Sequence, residues 1–228
     1  MIPVQLIKIL RIRPVYLVLL FSGFCLGILL LRLVWSEHFR YLSLGWNLFL
    51  AWIPLLIALG LRSQLKAGND SKLYYLLGLV LWLLFLPNAP YIITDLLHLQ
   101  VNTGVPIWFD SILIFCFAMG GLQTGLYAMY IVHKIINKLW NERVGWFAMA
   151  FSVLLSSFGI YLGRVQRWNS WDLFTNPVRL LTDCLQQTTN PTALKMTLAF
   201  TCLLLCFYLL FVILIQLKMY EPASHYKE

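Results

Sequence analysis

An acid and a base lie three positions apart in an otherwise apolar part of the chain. Asp95 and His98 belong to the segment LPNAPYIITDLLHL, residues 86–99, which also contains Pro87 and Pro90. Positions three apart share one face of a helix, so the two side chains could form an oriented acid–base pair. Taken alone, this spacing is a weak signal of catalysis.

A second polar segment, GRVQRWNSWD at residues 163–172, carries two arginines that are also three positions apart. Arg164 and Arg167 could bind a phosphate or carboxylate through bidentate hydrogen bonds. Asp110 adds an ionisable group about one turn inside the fourth apolar run, where such groups are candidates for a site. The predicted polar cluster comprises Asn88, Asp95, His98, Asp110, Arg164, Arg167, Asn169 and Asp172.

The composition shows which elements must position these residues. The chain is 61% hydrophobic and 11% charged, with a mean hydropathy of +0.78, which excludes a soluble globular protein. Continuous apolar runs indicate helices rather than a barrel. We predict an all-α polytopic membrane helix bundle that forms a single transmembrane domain over residues 1–228. The six predicted spans are Pro14–Trp35, Leu44–Leu61, Leu73–Leu86 with an extension, Ile107–Val132, Val144–Gly163 and Ala193–Leu217.

The basic residues predict the orientation of the spans. A cytoplasmic N-terminus places eleven Lys and Arg residues inside and six outside, so we expect both termini to be cytoplasmic in a multi-pass protein of the inner (plasma) membrane. The first span follows Lys8, Arg11 and Arg13 without a convincing cleavage site, which favours an uncleaved signal anchor. The net charge of +8 therefore reflects topology, and nucleic acid is dropped as a partner.

The third span needs more chain than its uncharged run supplies. The 14 residues of Leu73–Leu86 extend only roughly 21 Å as a helix, against a hydrocarbon core of about 30 Å. Pro87 and Pro90 then disfavour a straight continuation. We expect a broken helix that borders a cavity or re-enters the membrane, and an elbow between two spans is the equal alternative.

The longest loop follows the fifth span and, in this topology, shares the outer face with Asp95, His98 and Asp110. Its arginines run against the orientation rule, which suggests a role other than topology. Asn176-Pro177 predicts the start of a short amphipathic helix with Leu180, Leu181, Cys184 and Leu185 on its apolar side.

Other motifs limit the chemistry. The five cysteines imply no disulfide framework, and neither metal spacing nor a cofactor motif is found. Three glycine pairs, at 23 and 27, 121 and 125, and 159 and 163, allow close helix approach. We interpret them first as packing within one bundle; a homo-oligomer face is the alternative and is not otherwise indicated.

The segments LPNAPYIITDLLHL and GRVQRWNSWDL resemble the bacterial membrane-protein family catalogued as domain of unknown function 1361. The six-span layout extends this resemblance over nearly the whole chain. The resemblance implies an integral membrane protein of uncharacterised activity and supplies no catalytic residue or cofactor.

Three functions stay open from the sequence. The protein could bind or transport a small anionic or lipid-headgroup ligand at an outer polar pocket, with the bilayer as its other partner. It could instead be a membrane-embedded enzyme of the outer leaflet that uses Asp95 and His98. In a structural subunit, the acids and arginines would form only a salt-bridge network.

The predicted topology can be tested with single cysteines at His98 and Ser170 in a background without the native cysteines. We expect an impermeant thiol reagent to label both positions in intact cells, because both segments are predicted to lie on the outer face. Labelling of one position alone, with the other reacting only with a permeant reagent, would contradict the topology.

Overall fold

The computed structural model describes residues 14–36, 39, 41–99 and 104–220, of which 217–220 only by their backbone, and within this part the chain is all-α. Six of its helical runs are long and apolar enough to cross a membrane, as predicted for a multi-pass membrane protein. The helices are α1 Pro14–Ser36, α2 Leu42–Lys66, α3 Lys72–Phe85, α4 Asn88–Tyr91, a 3₁₀ helix Ile92–His98, α5 Ile107–Leu139, α6 Glu142–Tyr161, a π-helical turn Leu162–Gln166, α7 Asp172–Thr175, α8 Pro177–Gln187 and α9 Pro191–Tyr220.

The described residues form two compact units. Unit 1 holds those of Met1–Ile53 and Asn88–Gly125, and unit 2 holds those of Pro54–Pro87 and Leu126–Glu228. Nothing in this division tests the single-domain interpretation, which stays a prediction.

The predicted break in the third span is confirmed, and it takes the form of a tightened helix. After α3 ends at Phe85, Leu86 keeps a helical backbone (φ −54°, ψ −40°) before the single turn of α4 and the 3₁₀ helix. Pro87 and Pro90 have no backbone N–H to donate, so each removes one hydrogen bond from the helical ladder at this point. The whole run Lys72–His98 is 27 residues long, which is enough to cross a bilayer.

In unit 1, two glycines of α5 form the contact surface, or seat, against which residues 88–98, the proline segment, pack. A Cβ at Gly121 would collide with the Ala89 carbonyl oxygen and approach Ile92 Cδ1 to 2.7 Å. At Gly125 it would lie 2.9 Å from the Ala89 Cβ. This glycine pair therefore serves packing inside the chain, as the first of the two interpretations predicted.

A buried apolar cluster surrounds this seat. It brings together residues of α1, α2 and α5 with Ala89 and Ile92 of the proline segment. Its members include Cys25, Leu48 and Phe117. The proline segment is therefore part of the core of unit 1.

In unit 2, helices α6 and α9 pack together, and polar contacts hold the end of α5. His133 Nδ1 lies 2.7 Å from the hydroxyl of Tyr208 on α9. Small residues again allow close approach, because a Cβ at Gly159 would lie 2.7 Å from Cγ of Pro87. Pro54 is accommodated inside α2.

Polar side chains cap the starts of two helices. Ser71 caps α3 by accepting a hydrogen bond from the Tyr74 amide at 3.4 Å, and Asn190 accepts one from the Thr192 amide at 2.9 Å. Pro177 is the first residue of α8 as predicted, but the Asn176 side chain makes no capping bond. The predicted apolar side of α8 is divided, since Leu180 and Cys184 are half-buried while Leu181 and Leu185 are exposed.

Replacing Gly121 with alanine should destabilise the protein, because the added methyl group meets backbone that cannot move away freely. We expect a loss of about 1–3 kcal/mol, visible as a lower thermal midpoint in detergent. Gly23→Ala is the matched control, because apart from its chain neighbours and the backbone of its own helix no described atom lies within 4 Å of the new methyl group. Equal midpoints for the two variants would contradict the proposed seat.

Candidate functional site

The eight residues of the predicted polar cluster divide equally between the two units. Asn88, Asp95, His98 and Asp110 belong to unit 1. Arg164, Arg167, Asn169 and Asp172 belong to unit 2. That all eight form one cluster stays a prediction, and each group has its own geometry.

In unit 1, Asp110 forms a buried ion pair with Arg32 of α1. The Arg32 Nε donates to Asp110 Oδ1 at 3.1 Å and Nη2 to Oδ2 at 3.5 Å, with both side chains 0% exposed. The Nη1 donates to the Ser36 hydroxyl at 2.8 Å, and the guanidinium carbon lies 4.8 Å from the centre of the Tyr41 ring. Two parallel bonds and an aromatic neighbour give the buried charges the close compensation that a low dielectric requires.

Sequence reasoning did not assign Arg32 to this site. It counted Arg32 only as one of the outer charges. The available signal was its position within LLLRLVW, an apolar run of α1, because a charge inside a span needs a partner. Asp110 itself was identified as a candidate functional acid. The ion pair to Arg32 supports a scaffold role for its carboxylate.

Asp95 is also buried, and its carboxylate accepts a hydrogen bond. The Asn47 Nδ2 on α2 donates to Asp95 Oδ2 at 2.8 Å. The neighbouring Thr94 hydroxyl donates to the Tyr91 carbonyl at 2.6 Å, which secures the 3₁₀ turn. His98, the last residue of that helix, is exposed, and Asn88 at the start of α4 is half-buried. The sequence alone did not identify Asn47 as the partner of Asp95, because an amide side chain in a membrane span can serve many different contacts between helices.

In unit 2, the loop after α6 begins with an unusual turn. The π-helical turn Leu162–Gln166 is followed by Arg167 in the left-handed conformation (φ 63°, ψ 29°). The Leu162 carbonyl accepts the backbone N–H groups of both Arg167 and Trp168. Such single π-helical turns are common at functional sites.

Side chains then fasten the loop to the rest of unit 2. The Trp168 indole N–H donates to Asp183 Oδ2 on α8 at 3.1 Å, and the Ser170 hydroxyl donates to the Leu84 carbonyl at 3.0 Å. Asp172 accepts the Asn169 amide N–H at 2.7 Å, so these two predicted site residues do meet. The loop thus has a defined conformation.

Hydrogen bonds around Tyr161 tie the two ends of this region together. The Tyr161 hydroxyl donates to Gln187 Oε1 at 2.7 Å, and this oxygen also accepts from Asn190 Nδ2 at 2.7 Å.

Nearby, burial raises the pKa of the Cys184 thiol, and the Asp183 carboxylate raises it further. Cys184 therefore stays a protonated thiol near neutral pH.

The basic side chains of this loop differ in their surroundings. Arg164 is half-buried, whereas Arg167 is exposed. Arg179 on α8 is exposed too, and its guanidinium carbon lies 5.8 Å from the centre of the Trp168 ring. No group of three potential metal ligands occurs among the described residues. The arginines of this loop could form hydrogen bonds with a phosphate or carboxylate.

Comparison with known proteins gives one match. The family model described as "Protein of unknown function (DUF1361)" matches residues 46–207, which cover most of the chain and the whole of the loop. No curated protein and no solved structure matches.

The Arg32–Asp110 pair predicts a double-mutant result. Arg32→Ala should destabilise the protein by roughly 3–5 kcal/mol, because it removes the guanidinium that is paired with the buried Asp110 carboxylate. Combining Arg32→Met with Asp110→Leu should recover most of the loss, since no charge is then buried. Folded yield and thermal unfolding in detergent measure both effects. A single variant as stable as the unmodified protein would show that the pair does not hold unit 1 together.

Proposed function

The chain belongs to the family described as "Protein of unknown function (DUF1361)", and from its geometry we propose that it binds an anionic group at the loop of residues 162–187. The ligand carries a phosphate or a carboxylate, either as a lipid headgroup or as a small free anion. In this proposal the protein lies in the inner (plasma) membrane, both termini are cytoplasmic, and the loop faces outward.

The observation that carries this proposal is the backbone of Arg167. A left-handed conformation costs a residue with a side chain roughly 1–2 kcal/mol, and glycine is the usual occupant after a helical turn. The Arg167 side chain is exposed and makes no hydrogen bond or ion pair within the part of the chain that the structure describes. Among these residues, therefore, no hydrogen bond or ion pair of the guanidinium offsets the cost of the left-handed backbone. Binding of an external anion would explain why an arginine occupies this position.

The surroundings of Arg167 support the same function. Arg164 precedes it by three residues, and Arg179 stacks on Trp168, the next residue in the chain. Two carboxylates of this region accept hydrogen bonds within it, Asp172 from the Asn169 amide and Asp183 from the Trp168 indole. The fixed loop would hold the arginines ready, so little ordering entropy would be lost on binding.

The acids of unit 1 are left out of this proposal. Asp110 neutralises Arg32, and Asp95 accepts a hydrogen bond from Asn47. These contacts support a scaffold role for both acids. Transport or catalysis would require these carboxylates to act on a ligand, and the proposal gives them no such role.

Arg167→Gly separates binding from folding. Glycine adopts the left-handed backbone without strain, so the thermal midpoint should stay the same or rise. Loss of a charge-assisted hydrogen bond of about 1.5–3 kcal/mol should weaken anion binding by roughly 10- to 100-fold. Binding is measured by tryptophan fluorescence in zwitterionic nanodiscs titrated separately with short-chain phosphatidylglycerol, inorganic phosphate and succinate.

Arg143→Ala provides the control, because this exposed arginine of unit 2 belongs to α6 and lies near the opposite end of that helix from the loop. It should leave every titration unchanged. Saturation by phosphatidylglycerol alone would identify a lipid headgroup, and saturation by phosphate or succinate would identify a free anion. Equal affinity of the unmodified protein and Arg167→Gly for all three would refute the proposal.

A further inference from the structure

Helix α8 has three distinct faces. Leu180, Asp183, Cys184 and Gln187 are half-buried and turn toward unit 2. The exposed remainder is divided by polarity into an apolar face and a polar face. The apolar face consists of Val178, Leu181 and Leu185, and the polar face consists of Arg179, Thr182 and Gln186.

The apolar face is large for a surface that no other described part of the chain covers. Val178 is 78% exposed, Leu181 57% and Leu185 72%. At 3.6 residues per turn, these positions fall within about 60° of one another, and the polar residues occupy the adjacent sector of about the same width. A helix whose exposed residues all faced water would gain nothing from separating them into an apolar and a polar face.

Contacts on the buried face determine which way the helix is rotated. Asp183 accepts the Trp168 indole N–H, and Gln187 accepts hydrogen bonds from Tyr161 and Asn190. These bonds come from the loop, from α6 and from the segment before α9. The rotation of α8 is therefore a property of the folded chain, and the exposure of its apolar face follows from it.

The apolar face is also linked to an apolar surface on the next helix. Only residues 188–190 separate α8 from α9, a candidate membrane span that begins at Pro191. The first turns of α9 expose Leu194 at 55% and Leu198 at 64%. A span of this hydropathy presents such residues to lipid.

We propose that α8 is an interfacial helix whose exposed apolar face lies in the bilayer. Val178, Leu181 and Leu185 enter the acyl region, while Arg179, Thr182 and Gln186 lie among the headgroups. With 11 residues, or about 16 Å, the helix is too short to span the membrane. Arg179 on the polar face suits anionic headgroups. This inference does not rest on the anion site. It is carried by the exposed apolar face of Val178, Leu181 and Leu185, which takes no part in that site, and Arg179 contributes to both proposals.

Neighbouring positions on α8 provide matched probes. Single cysteines at Leu181, Thr182, Leu185 and Gln186, in a background without native cysteines, are labelled with an environment-sensitive fluorophore. The labelled proteins are placed in vesicles of phosphatidylethanolamine and phosphatidylglycerol. Two quenchers are compared, aqueous iodide and a phospholipid that carries a doxyl group near the start of one acyl chain.

We expect labels at Leu181 and Leu185 to be quenched at least about twofold more by the doxyl lipid than labels at Thr182 and Gln186, with the reverse order for iodide. Equal iodide quenching at all four positions would place the helix in water and overturn the proposal. Protection of Leu181 and Leu185 from both quenchers would reveal a protein partner or a second copy, which also overturns it. Thermal unfolding of each labelled protein verifies that the fold is intact.

Discussion

A backbone amide or carbonyl within a bilayer has no water to bind, so its hydrogen-bond partner must come from the protein. The described part of this chain meets that requirement with helices almost throughout, and the proline segment is where the requirement is hardest to meet. Its helix tightens into a 3₁₀ form at Ile92–His98 and packs against Gly121 and Gly125. Glycine at both positions lets the irregular backbone lie against a regular helix without a gap.

The absence of water inside a bilayer also constrains the charges of unit 1, because it lowers the dielectric constant around them. Arg32 and Asp110 are both inaccessible to water, and each charge is stabilised by the other. The Ser36 hydroxyl and the Tyr41 ring also contact the guanidinium. An ionisable residue within a span is a candidate functional group by default, and these contacts instead favour a structural explanation for this pair.

The loop of unit 2 has a different character. Hydrogen bonds within the loop engage Asp172 and Asp183, and Arg167 is exposed in a conformation that glycine would adopt more easily. Beside it, α8 is held at one rotation and exposes an apolar face next to a polar one. Anion recognition and contact with the bilayer surface are thus proposed for adjacent faces of a single region; Arg167 carries the first proposal, and the apolar face of α8 carries the second.

The sequence by itself determined the elements that depend on local composition. Long apolar runs predicted six spans, and Pro87 and Pro90 predicted the interruption of the third. These features follow from hydropathy and backbone chemistry over a few neighbouring residues. The same is true of the family, which was identified from two short segments.

Only the tertiary structure decided the partners. Asp110 pairs with a residue 78 positions away, and Asn47 reaches Asp95 across 48 positions. No local pattern selects one distant partner among several, because a buried charge requires compensation without specifying which residue supplies it. Likewise the amphipathic pattern predicted α8, but hydrogen bonds to Trp168, Tyr161 and Asn190 decided which of its leucines face outward.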